Sequence, residues 1–141
     1  DVAAALTIMG QAQNVEAAVL GPVANAMTDV TGFGLAGHVY AMCKSSQLDA
    51  DLWQEAIPIY SGARTLSFAG VSSVLMPTNR EDTQVKGVED ELLYDPQTAG
   101  GLLAAVPEGS SDSVLEALAL KGCFGHVIGC LTEGTGQLRL S

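Results

Sequence analysis

Apolar positions recur along the chain with more than one period. Ala3–Met9 and Val15–Leu20 are rich in Ala and other helix formers, and Gly21-Pro22 breaks that run. Ala24–Val30 reads as a short strand entering Thr31-Gly32-Phe33-Gly34. Beyond this turn, apolar residues at 35, 36, 39, 42 and 43 share one helical face. Leu48, Ala50 and Leu52 alternate with Asp49 and Asp51, the period of a half-buried strand. A short helix is expected within Ile57–Ala69, begun after Pro58, whereas Val71–Glu91 is polar and reads mainly as loop. Asp95–Gly101 is rich in turn formers, and Leu102–Val106 is an apolar run short enough for a buried strand. Ser113 and Glu116 have capping-box spacing before the helical face of Val114, Leu115 and Leu118, which Gly122 would end. His126–Leu131 and Gln137–Leu140 read as closing strands, with Gly134-Thr135-Gly136 as a candidate hairpin turn. This order predicts an α/β (α+β) sandwich in which one mixed β-sheet layer is packed with helices. No linker interrupts it, so residues 1–141 are expected to form a single domain.

Composition narrows the function. Hydrophobic residues make up 48% of the 141 positions and charged ones 16%, enough to bury a core and exclude a disordered chain. Six Lys and Arg stand against 16 Asp and Glu, a net charge of −10. That balance argues against nucleic acid, whose phosphates call for clustered cations. No apolar run reaches the ~18 residues of a membrane span. The start, Asp1-Val2-Ala3-Ala4-Ala5, has no basic region and so does not read as a signal peptide; its lack of an initiator Met is as expected of a segment of a longer chain or of a processed one. The three cysteines lack CxxC spacing and point to buried or half-buried thiols in a reducing cytoplasm, not to a disulfide or zinc scaffold.

Gly32-Phe33-Gly34-Leu35-Ala36-Gly37 matches G-x-G-x-x-G between a predicted strand and a predicted helix, with Asp51 ending the next strand. Two readings stay open: a dinucleotide-binding turn, or a tight turn with no ligand. Asp29, just before the turn, reads on residue type alone as a cap or turn residue; as a ligand-facing group it would repel a pyrophosphate directly but suits one approached through Mg²⁺, which takes carboxylate and phosphate oxygens together. His38 reads as a helix-face histidine packed on a neighbour.

The run Thr28-Asp29-Val30-Thr31-Gly32-Phe33-Gly34-Leu35-Ala36-Gly37-His38 resembles a signature of the selenophosphate synthetase (selenide, water dikinase) family. Leu93-Tyr94-Asp95-Pro96-Gln97-Thr98-Ala99-Gly100-Gly101-Leu102-Leu103 resembles its second carboxy-terminal signature, in the family's order and at about its spacing. The likeness covers the whole chain but only the carboxy-terminal half of such an enzyme, a sandwich of the aminoimidazole-ribonucleotide-synthetase superfamily. It implies formation of selenophosphate from selenide, ATP and water with release of AMP and phosphate. It also implies Asp29 as a ligand of Mg²⁺ holding ATP, with Thr28, Thr31, Gly32, Gly34, Thr98, Gly100 and Gly101 shaping the nucleotide site. The reactive Cys or selenocysteine and its Lys, most ATP contacts and the homodimer-forming sheet belong to an amino-terminal half, so no catalytic residue is expected here and the isolated segment should be inactive. Two departures stand out. Ala99 replaces a common Ser, and the Pro-Gly-Gly-Thr stretch before an Asn is reduced to Ser72–Arg80, leaving the roles of Asn79 and Arg80 in doubt.

Overall fold

The computed structural model describes residues 2–87 and 90–141. Helices α1 (Val2–Met9) and α2 (Asn14–Leu20) lead into strand β1 (Ala26–Asp29), helix α3 (Gly34–Ser46) and strand β2 (Leu48–Leu52). Helices α4 (Ala63–Phe68) and α5 (Met76–Asp82), strand β3 (Val85–Gly87) and a 3-10 turn at Glu91–Tyr94 follow. Strand β4 (Leu102–Ala105), helix α6 (Ser111–Leu120) and strands β5 (Gly129–Glu133) and β6 (Leu138–Leu140) close the chain.

The fold is a mixed α/β sandwich, its strands hydrogen-bonded as two sheets where the sequence predicts one layer. A four-stranded mixed sheet has the order β3-β6-β2-β5. The two-residue alternation of β2 does what it predicts: Ala50 and Leu52 are buried with Leu138 and Leu140, joining Ala36, Val39 and Cys43 of α3 in the main core. A separate antiparallel ribbon pairs β1 with β4, Ala26 opposite Ala105 and Asp29 opposite Leu102. Its core is smaller, with Leu20 of α2 and Val114 and Leu118 of α6 packed on Leu102, Ala104 and Val106.

Several local expectations are corrected. β5 and β6 do not form a hairpin: β2 lies between them, antiparallel to β5 and parallel to β6. The stretch expected to be loop holds α5 and β3 (its Val88 and Glu89 lie outside the described residues). α4 starts only at Ala63, because Gly62 at φ 87° breaks any earlier helix. α6 starts at Ser111, so Ser113 sits inside the first turn, where its hydroxyl donates to the Ser110 carbonyl (2.9 Å) instead of capping the helix. The cysteines are free, Cys43 buried but Cys130 exposed. No helix among the described residues is long and apolar enough to cross a membrane.

Candidate functional site

The two motif runs, more than sixty positions apart in sequence, meet at one junction. β1 and β4 pair as far as Asp29 and Leu102, and the contact continues past the ribbon. Val30 N–H donates to the Gly101 carbonyl (3.0 Å), and Gly100 N–H to the Val30 carbonyl (3.0 Å). The Thr31 carbonyl accepts from Gly34 N–H (3.1 Å) and from Gln97 N–H (3.0 Å), one donor from each run. Gly34 shows why this turn needs glycine: at φ +70° it lies against the 3-10 turn, and a Cβ would stand 2.7 Å from the Leu93 carbonyl oxygen. Gly100 is as constrained, since a Cβ there would strike the Val30 carbonyl. The Gln13 side chain donates to the Gly100 carbonyl (2.5 Å), tying the segment before α2 to the same place.

His38 is packed as the sequence predicts, and it also holds the turn. Its Nε2 accepts the Thr31 N–H (3.0 Å) and lies 3.3 Å from the Thr31 hydroxyl. Nε2 must therefore carry a lone pair, with the ring proton on Nδ1. Phe33 stands edge-on to the imidazole, centroids 5.7 Å apart, and remains 64% exposed at the mouth of the turn.

The surface of the junction is open. Asp29 is exposed at the end of β1, and Gly32, Thr98 and Gly101 are exposed around it. A Cβ at Gly32 or Gly101 would meet nothing within 4 Å, so internal packing asks for glycine at neither. Thr28 is half-buried and turns its hydroxyl to the Asp29 carbonyl (3.1 Å). α3 begins at the same edge with no side-chain cap and no acid in its first turn. Its N-terminal N–H groups and the positive end of its dipole therefore suit an anion. Neither run contains Lys or Arg. Asp95 is half-buried; burial pushes its carboxyl above the ordinary range, and donation from Gln97 Nε2 (2.8 Å) partly offsets that.

The dinucleotide reading does not survive. That fingerprint needs two neighbouring parallel strands joined by the crossover helix. Here β1 and β2 belong to different sheets, and Asp51 lies on β2 between Cys130 and Arg139, away from the glycine turn. Asn79, set aside on sequence, proves central. It is 7% exposed, and its Nδ2 donates to the carbonyls of Gly32 and Tyr94, both at 2.9 Å. The signal was there: an Asn kept near the remnant of a family stretch.

Residues 1–140 match the family model for the AIR synthase related protein, C-terminal domain. The chain belongs to that family. As an AIR synthase-related C-terminal domain it resembles curated proteins named selenide, water dikinase. It is 39% identical over 111 residues to that of Caldanaerobacter subterraneus, covering 74% of this chain and 32% of the relative. It is 35% identical over 108 residues to that of Clostridioides difficile, covering 71% and 31%. The domain thus spans about a third of the length of these relatives. The solved structure of E. coli HypE, a hydrogenase maturation protein, shares the fold at TM-score 0.67 and 19% identity, over 94% of this chain and 37% of that one.

Proposed function

We propose that this AIR synthase-related domain is the carboxy-terminal part of a selenide, water dikinase, which makes selenophosphate from selenide, ATP and water and releases AMP and phosphate. The observation that carries the reading is the junction: both signature runs converge on one exposed edge, with a carboxylate, two open glycines and an uncapped helix start. The likeness to curated dikinases over about three quarters of the chain supports the same assignment.

The residues present fit a shared Mg²⁺–ATP site. No group of three His, Cys, Asp or Glu among the described residues forms a metal cluster. The Asp29 carboxylate has neither a hydrogen bond nor an ion pair among them. It supplies one hard oxygen ligand, and the remaining ligands come from the amino-terminal domain, the expected partner. When bound, Mg²⁺ neutralises phosphate charge. Gly32 and Gly101 let phosphate approach the backbone, the start of α3 offers N–H donors, and Thr28, Thr31, Gly34, Thr98 and Gly100 shape the edge. The cations that the chemistry needs come from that amino-terminal domain, which also carries the homodimer contacts.

The test is recombination. Joined to its amino-terminal half, this domain should give selenide-dependent AMP formation, and alone it should give none. In the joined enzyme Asp29→Asn should cost about 10²-fold in rate or more. An unchanged rate would remove Asp29 from the site.

A further inference from the structure

Asn79 lies behind the junction, on the side away from solvent. Pro77 in the first turn of α5 helps start this short helix, and Asn79 N–H donates to the Leu75 carbonyl (3.0 Å). The Thr83 hydroxyl donates to the Asn79 carbonyl (2.8 Å) at the C-terminal end of α5. The side-chain amide is then aimed at two carbonyls from different motif runs. Gly32 is the exposed turn residue beside Asp29, and Tyr94 precedes Asp95. An amide nitrogen has two hydrogens, and Asn79 gives one to each carbonyl at 2.9 Å. An apolar side chain of this size would leave both carbonyls without that donor, and a carboxylate would turn lone pairs toward them.

We propose that Asn79 is a positioning residue of this site. It holds the Thr31–Gly34 turn at a fixed distance from the start of the second run and so sets the spacing of the phosphate-facing edge. It touches no substrate and acts through the Gly32 and Tyr94 carbonyls. The proposal rests on the phosphate-site reading for its effect on activity, and on geometry alone for its effect on the junction.

The test uses the full-length enzyme with Asn79→Ala and Asn79→Asp, and Thr83→Val as control. Thr83→Val removes a buried hydrogen bond of the same helix but leaves the Gly32–Tyr94 tie in place. Two readouts are taken below the melting temperature of every variant: kcat/KM for ATP, and amide hydrogen exchange at Gln97 and Gly100, whose N–H groups bond across the junction. Both Asn79 variants should lose about 10-fold or more in kcat/KM and exchange these two amides about 10-fold faster, Asp more than Ala. Thr83→Val should stay within about 2-fold on both while its melting temperature falls. Asn79→Ser, whose smaller side chain leaves room for a bridging water, replaces Ala if Ala does not fold. Asn79 variants that behave like Thr83→Val would overturn the proposal, as would lost activity with unchanged exchange. If Asp29→Asn is harmless, the phosphate-site reading fails, while the exchange result still decides the role of Asn79.

Discussion

At the turn Gly134–Gln137, the N–H groups of Thr135, Gly136 and Gln137 converge on Asp49 Oδ1 at 2.8, 3.1 and 2.8 Å. Arg139 adds an ion pair at 3.6 Å, and the Asp49 side chain is only 13% exposed. At the turn Thr31–Gly34 a carboxylate also stands beside glycines, yet Asp29 is exposed and the start of α3 has no side-chain cap. The materials are alike: a glycine turn, backbone N–H groups and an aspartate. In the first case the chain's own carboxylate occupies the donors, and the turn is closed structure. In the second, Thr31 N–H is taken by His38 and Gly34 N–H by the Thr31 carbonyl, while Asp29 stays exposed and the start of α3 has no side-chain acceptor. A glycine-rich turn therefore marks a ligand site only where the molecule has not already filled it.

The largest expected effect comes from breaking the open turn from inside. Gly34→Ala combines a positive φ with a Cβ 2.7 Å from the Leu93 oxygen and 2.8 Å from the Tyr94 carbonyl carbon, all backbone. Strain and overpacking together should cost roughly 3 kcal/mol or more. Denaturant unfolding measures it, and a loss under about 1 kcal/mol would mean that the two runs are not locked together as described.

Gly32→Ala sharpens the contrast because nothing lies within 4 Å of the added carbon. Stability should change by less than about 1 kcal/mol. If phosphate approaches the backbone there, ATP affinity in the joined enzyme should still fall about 10-fold. Equal affinity in titration calorimetry would make this glycine as empty of function as it is of packing.

Asp49→Ala tests the closed turn. It should lower the melting temperature by less than Gly34→Ala does and leave ATP affinity unchanged, because the hydrogen bonds and ion pair of the Asp49 carboxylate among the described residues go to the 134–137 turn and Arg139, not to the junction. An effect on ATP affinity would show that the two turns are coupled.

The open turn was far more legible in the sequence than its support. Thr31–Gly37 announced itself because glycine spacing and the apolar face of α3 are local signals. The inward residues of β2 were equally plain from alternation. α5 and β3 were missed because Met76–Asp82 and Val85–Gly87 are short and polar, and their order comes from tertiary contacts. Asn79 is buried because two distant carbonyls take its hydrogens, which no local pattern encodes. The placement of β2 between β5 and β6 was hidden for the same reason. Gly134-Thr135-Gly136 looks like a hairpin turn but is shaped to receive Asp49, 86 positions from Thr135.

The smallest effect is a difference in sign. Backbone donation from Gln137 and Thr135, then Gly136, with Arg139 nearby, holds the Asp49 carboxyl below the ordinary carboxylate range. Its stabilisation is full above the unfolded value, near 3.9, and is lost as pH falls through the lower folded value. Asp95 runs the other way: burial raises its carboxyl despite Gln97. The folded state then favours the protonated form, so stability is greatest at acid pH and declines as pH rises through the unfolded value toward the raised one. Melting temperatures from acid to neutral pH should separate the two. Asp49→Asn should destabilise most at neutral pH, and its deficit should shrink toward acid. Asp95→Asn keeps an acceptor for Gln97 and should gain on the wild type as pH rises. Differences of the same sign in both variants would mean that the two carboxylates sit in equivalent surroundings, and the division between a filled turn and an open one would lose its electrostatic half.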